Sequence, residues 1–138
     1  MKGWKAEWLN SLYKNSFKFP FEKLEVWKKS IDLATMIYKL TSSFPKTEMY
    51  GLSSQIQRAA VSVSSNIAEG SVRFSAKEQV RFYEVAFGSL MEVISQTILA
   101  KKLNYISDEN FIEIRSLTEE ISRMLNALSK SKNDEQSE

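Results

Sequence analysis

A chain of 138 residues with 43% hydrophobic and 26% charged side chains has the size and composition of one globular domain, which excludes an intrinsically disordered chain. Four glycines and two prolines are too few for the turns of a sandwich or barrel, so the fold class is all-α, and the absence of cysteine and histidine removes disulfides, thiolate metal sites and the commonest general base. The net charge of +2 is unevenly split, with 15 basic against 9 acidic residues through position 102 and 4 against 8 beyond it, an asymmetry that bears on partners rather than on fold.

Residues 1–20 read as an N-terminal extension. Trp4, Trp8 and Leu12 share one helical face, with Lys2, Lys5, Lys14 and Lys18 around it, until Pro20 interrupts. Two readings stand side by side: a short docking helix, or a mobile start-site extension. The domain proper is expected at 21–129.

The spacing predicts a first helix over 22–42. Leu24, Trp27, Ile31, Ala34, Tyr38 and Thr41 form one row, and Val26, Leu33, Ile37 and Leu40 a second beside it, a stripe wide enough for burial on more than one side. Ser43-Phe44-Pro45 ends it, because proline disfavours the helical conformation of the residue before it.

A second helix is predicted over 48–69. Leu52, Ile56, Ala59, Ala60, Val63 and Ile67 make one apolar face, and Arg58, Ser62, Ser65, Asn66 and Glu69 a continuous polar stripe beside it. We expect Arg58, Asn66 and Glu69 to form a hydrogen-bonded structural set, since buried polar groups are paired. Gly70 is expected to end the helix in a left-handed conformation.

Ser75-Ala76-Lys77-Glu78 has the spacing of a capping box opening a third helix that continues to Leu103. Val80, Tyr83, Phe87, Leu90, Ile94 and Ile98 form one row and Phe82, Ala86, Val93 and Ala100 another. Apolar groups on two sides imply two neighbours, one of which another subunit would supply. Gly88, in mid-helix, costs about 1 kcal/mol relative to alanine unless something packs closely there.

Ser107 is the expected N-cap of a fourth helix, with Asp108 and Glu109 in a first turn whose dipole favours negative charge. Ile114, Leu117, Ile121, Met124 and Leu128 make a narrow seam, opposite an acidic face. The polar run 130–138 is expected to form a disordered tail. Short loops make successive helices antiparallel neighbours in an up-down-up-down four-helix bundle.

Little chemistry is available to this composition. Without histidine the di-metal sites common in bundles cannot form in their usual way, and no phosphate-cradling glycine loop is present. The expectation is a non-enzymatic protein with no cofactor and no metal. No apolar run reaches the roughly 18 residues of a membrane span and no secretory signal opens the chain, which points to a cytoplasmic location without membrane contact. The bundle topology would gather Lys28, Lys29, Arg73, Lys77 and Arg81 at one end, where Lys77 and Arg81 flank a helix N-terminus that itself favours anions. These five are the candidate nucleic-acid-binding residues.

Leu24, Val26-Trp27-Lys28-Lys29-Ser30, Phe44-Pro45, Tyr50-Gly51-Leu52, the run from Gln55 to Ser62, Asn66-Ile67-Ala68-Glu69-Gly70, Arg81-Phe82 and Gly88-Ser89 together resemble the four-helix bundle proteins of intervening sequences in bacterial 23S rRNA genes. The resemblance spans about residues 21–128 and implies assembly into homopentameric rings. It also implies likeness in fold to the accessory protein of diversity-generating retroelements, a basic pentamer that binds nucleic acid and its reverse transcriptase. The leading expectation is therefore a homo-oligomeric bundle binding structured RNA or DNA. The alternative is a scaffold that holds a protein partner, such as a reverse transcriptase, and binds no nucleic acid.

Overall fold

The computed structural model describes Glu7, Asn10, Ser11 and residues 16–137. Among the described residues there are four long α-helices and no strand: α1 (Glu25–Thr41), α2 (Leu52–Ser71), α3 (Ala76–Lys102) and α4 (Asp108–Ser137). Short 3-10 turns at Pro20–Lys23 and Lys46–Glu48 precede α1 and α2. The Trp4–Trp8–Leu12 face lies outside the described residues, although Glu7, Asn10 and Ser11 are helical and exposed.

Each helix packs against two others, α2 on α1, α3 on α2, α4 on α3 and α1 on α4. The main core lies between them. Leu33, Ile37, Val63, Ile67, Leu90, Val93 and Ile121 are almost wholly buried there. A second cluster, Phe44, Leu52, Ala100 and Ile106 with Tyr105 against it, ties the α1–α2 connection and the start of α2 to the end of α3 and the approach to α4. The predicted apolar face of α2 is buried along its whole length. In α1 the core takes the second row, Val26, Leu33 and Ile37, leaving Ile31 and Tyr38 of the first row exposed.

The helix ends differ from expectation in instructive ways. The first helix starts at Glu25 rather than 22, because Pro20 opens a 3-10 turn in which the buried Glu22 accepts the Phe19 N–H at 3.0 Å, and Leu24 then runs extended. The second starts at Leu52 rather than 48, after the second 3-10 turn. Gly70 does not act as a left-handed terminator: no described glycine has positive φ, and α2 runs on to Ser71. Its role is close approach, since a Cβ there would lie 2.6 Å from Cε1 of buried Tyr83 on α3.

The cap of α3 forms as predicted on one side, with Ser75 Oγ accepting the Glu78 N–H at 3.1 Å. Its far end closes on Asn104, the one described non-glycine residue at positive φ (61°), followed by a Tyr105 N–H to Ala100 carbonyl bond of 2.9 Å. Asparagine tolerates this left-handed position, and the bond satisfies a carbonyl of the last turn. Ser107 Oγ accepts the Asn110 N–H at 3.1 Å and so caps α4.

The expected disordered tail 130–138 is corrected: α4 continues through Ser137. Low apolar content forbids a core, but a nucleated helix adds each further residue at small cost, and Lys132 supports this stretch with an ion pair to Glu135 at 3.3 Å.

Candidate functional site

The five candidate cations do not share one environment. Lys28 pairs with Glu25 on its own helix at 3.1 Å, and Lys29 reaches across to Glu120 of α4 at 3.2 Å. Arg73, in the α2–α3 connection, meets Glu69 one turn back at 3.4 Å and lays its guanidinium over the Phe82 ring, 4.5 Å from the centroid. Those pairs are solvent-exposed, so each holds its side chain in place with no more than about 1 kcal/mol.

Lys77 and Arg81 differ from the other three. They stand one turn apart on the first two turns of α3 and line a depression of about 320 Å³ together with Glu78, Val80, Glu84 and Asn133 of α4. Among the described residues neither has a carboxylate within ion-pair distance. Arg73, stacked on the residue after Arg81, belongs to the same neighbourhood. Lys28 and Lys29 do not line the depression. Its two carboxylates, Glu78 and Glu84, keep the local charge close to balanced.

The polar stripe of α2 divides. Asn66 Nδ2 donates to the Ser62 carbonyl at 2.8 Å and to Ser62 Oγ at 3.0 Å, and the Ser62 hydroxyl meets the Ser89 hydroxyl of α3 at 2.8 Å. Glu69 instead holds Arg73, while Arg58 is exposed, with no hydrogen-bond partner among the described residues. The single Arg58–Asn66–Glu69 set is thus corrected to two local arrangements. Arg58 lies eight residues from Asn66 and eleven from Glu69 along one helix, too far to meet either directly, while Glu69, three residues from Asn66, turns to Arg73 instead.

Several participants carried no sequence signal of their own. Ser89 and Phe82 sit inside apolar rows, and Glu120 becomes the Lys29 partner only through the packing of α4 on α1. On the outward side of α3, Val85, Met91, Ile98 and Leu99 are exposed around Gly88, which has nothing within 4 Å of a would-be Cβ. On the flank of the same helix, the buried Oε1 of Gln96 has no donor among the described residues.

Burial pushes the phenol of Tyr83 above the ordinary tyrosine value. That of Tyr105 is raised by partial desolvation, then by the charge of Glu48 and by the 3.3 Å hydrogen bond it donates to Glu48. No group of three or more Asp or Glu among the described residues is arranged to hold a metal, and no described helix is long and apolar enough to cross a membrane.

No curated protein matches this chain. Among solved structures, a protein of unknown function from the S23 ribosomal protein family of Bacteroides thetaiotaomicron VPI-5482, determined at 1.70 Å, superposes with a TM-score of 0.69 at 25% identity, covering 76% of this chain and 98% of that one. The family model described as 23S rRNA-intervening sequence protein matches residues 22–127, from the 3-10 turn before α1 to the last buried turns of α4. With α1, α2, α3 and the larger part of α4 inside that span, the chain belongs to the 23S rRNA-intervening sequence protein family.

Proposed function

We propose that this protein is a non-enzymatic assembly unit, an antiparallel up-down-up-down four-helix bundle that joins copies of itself into a ring and presents repeated cationic patches to an RNA or DNA backbone. The observation that carries this reading is the build of α3. Its outward side exposes Val85, Met91, Ile98 and Leu99 around the open Gly88, and its first two turns carry Lys77 and Arg81, which have no ion-pair partner among the described residues. Copies joined through that helix would array the Lys77–Arg81 pairs, each with Arg73 beside it. One subunit holds too little net positive charge to grip a phosphate backbone strongly, but released counterions add with every phosphate contacted. Five copies is the number that family resemblance implies. Contacts would be to backbone and shape, because no described side chain forms a base-reading motif.

Light scattering at micromolar concentration tests the assembly: a mass several times 15.9 kDa is expected, and a monomer mass rejects it. Gel-shift titrations across salt test the ligand. Affinity should fall steeply with salt and drop in an Arg73→Ala/Lys77→Ala/Arg81→Ala variant that still assembles, whereas equal affinity in the two proteins, or no shift at low salt, rejects nucleic-acid binding.

A specific observation favours a second reading, a protein-holding scaffold in the cytoplasm with a partner such as a reverse transcriptase. Glu78 and Glu84 share the depression with Lys77 and Arg81, and the remaining candidates already have acidic partners. Assembly without any nucleic-acid shift is the outcome that selects this alternative.

A further inference from the structure

The α2–α3 connection, residues 72–75, carries an aromatic ring that the fold does not use. Phe74 is wholly exposed, more than any other large apolar side chain among the described residues. It pairs with no described ring, and the guanidinium of the preceding Arg73 lies over Phe82 instead. An apolar residue just before an N-cap ordinarily packs on the fourth residue of the helix and fixes the angle at which the chain enters. With Ser75 capping α3, that fourth residue is Gln79, a polar side chain, and the ring of Phe74 stays in water.

Along the chain the ring is flanked by positive charge. Arg73 precedes it, and Lys77 and Arg81, which have no ion-pair partner among the described residues, follow on the first two turns of α3. Three residues of extended chain reach at most about 11 Å, which bounds the distance from Phe74 to Lys77, and Lys77 and Arg81 are about 6 Å apart along the helix axis. A ring beside cations matches the two ends of a nucleotide: the base offers a π-face for stacking, and the strand offers phosphate charge. A protein partner is the poorer fit, since the buried centre of a protein interface is depleted of charged residues.

Charge alone is a weak handle here, because Glu78 and Glu84 share the depression with Lys77 and Arg81. Stacking supplies what the balanced charge does not. In a duplex each base is already stacked on its neighbours and paired across the helix, so only unpaired bases can meet a projecting ring. We infer, on the nucleic-acid reading proposed above, that Phe74 is a stacking platform for an unpaired base, with Arg73, Lys77 and Arg81 at the strand's phosphates. The preferred ligand is thereby single-stranded RNA or DNA rather than duplex.

Fluorescence anisotropy of a dye-labelled oligo(dT) and of a duplex of equal length, each titrated with the full chain at low salt, tests this. Wild type should bind the single strand more tightly. Phe74→Ala and Phe74→Leu should weaken single-strand binding by about 5–150-fold, the range that a lost base–aromatic stack gives, and leave duplex binding as it is. Leucine keeps apolar bulk without a π-face, so its failure to rescue sets stacking apart from plain hydrophobic contact. Phe74→Trp should bind at least as tightly as wild type, and the emission it adds should be quenched by oligo(dT). Tyr50 is nearly as exposed but stands before α2 rather than after it, about 30 Å away along that helix, and Tyr50→Ala should change nothing. Single-strand binding equal in wild type, Phe74→Ala and Phe74→Leu overturns the inference while leaving backbone binding by the cations in place, and so does an equal loss on single strand and duplex. No binding of either oligonucleotide at low salt overturns the nucleic-acid reading as well, and passes Phe74 to the protein-holding alternative.

Discussion

Gly70 is the position where a single methyl group tests the packing account most sharply. It lies inside α2 with ordinary helical geometry, so alanine there gains about 1 kcal/mol of intrinsic helix propensity. The added Cβ, however, would sit 2.6 Å from Cε1 and 3.0 Å from Cδ1 of Tyr83, and 3.1 Å from Cβ of Phe82. Tyr83 is 2% exposed and belongs to the main core, so its ring cannot swing into solvent. Relief must come from moving α2 away from α3, the overpacking that costs about 1–3 kcal/mol, here toward the upper end because two ring atoms and a Cβ are struck together. The net is a loss of about 1–2 kcal/mol, which lowers the melting midpoint of a domain this size by roughly 5 °C. Circular dichroism melts of Gly70→Ala and wild type, at equal protein concentration because assembly adds to stability, give the comparison. A midpoint equal to or above wild type would refute the reasoning, since it would mean that propensity outweighs the contact and that the α2–α3 spacing is not set at this glycine.

Asn66→Ala removes the two bonds to Ser62 but leaves the Ser62–Ser89 contact intact, so the expected cost is about 0.5–1.5 kcal/mol in urea midpoints rather than the larger penalty of an orphaned buried group. Ser75→Ala deletes the one side-chain cap of α3 and should cost about 1 kcal/mol, read in the same titration, with Lys77→Ala as a near-neutral surface control. The raised phenols of Tyr83 and Tyr105 predict alkaline lability: the folded state keeps these protons at a pH where the unfolded chain has lost them, so stability is intact below about pH 10 and falls as pH rises through the shifted values. Absorbance of tyrosinate against pH, run beside the melts, should place ionisation of the last phenols together with unfolding, and full ionisation in a still-folded protein would remove the basis of the claim.

What was legible in the sequence followed from how local its cause was. The apolar face of α2 could be read because its spacing admits one helical register, and the Ser75 and Ser107 caps because each is a short-range contact within one turn. In α1 the two apolar rows were visible, yet which of them becomes core depends on where α2 and α4 lie, and the choice fell on Val26, Leu33 and Ile37. Gly70 shows the same limit. A glycine near a helix end ordinarily signals a left-handed terminator, and only the approach of Tyr83 from another helix reveals that the missing side chain is space. The real left-handed terminator was Asn104, whose residue type carried the signal without a glycine to announce it. Among the candidate cations the sequence marked every charge but not its partner: Glu120 is 91 residues from Lys29 and meets it only through tertiary packing. The Lys77–Arg81 pair, set by one turn of one helix, was the part of the candidate site that spacing alone could place.

Two features of α3 weaken the isolated chain, one open to solvent and one buried. Gly88 interrupts a long helix at a point where, among the described residues, nothing comes within 4 Å of a would-be Cβ, a loss of about 1 kcal/mol against alanine with no such contact to offset it. Gln96, eight residues on and about 80° around the helix, buries a carboxamide oxygen without a donor among the described residues, a penalty of about 1–3 kcal/mol. Together these approach a sizeable fraction of the 5–15 kcal/mol that stabilises a typical domain. Gly88 belongs to a surface that also leaves Val85, Ile98 and Leu99 to water. A second copy of the chain seated on α3 would offset the cost at Gly88, because the missing Cβ lets a backbone come close and the aliphatic side chains around it lose water. The same substitution that should stabilise an isolated subunit, Gly88→Ala, is therefore the one that should weaken the assembly.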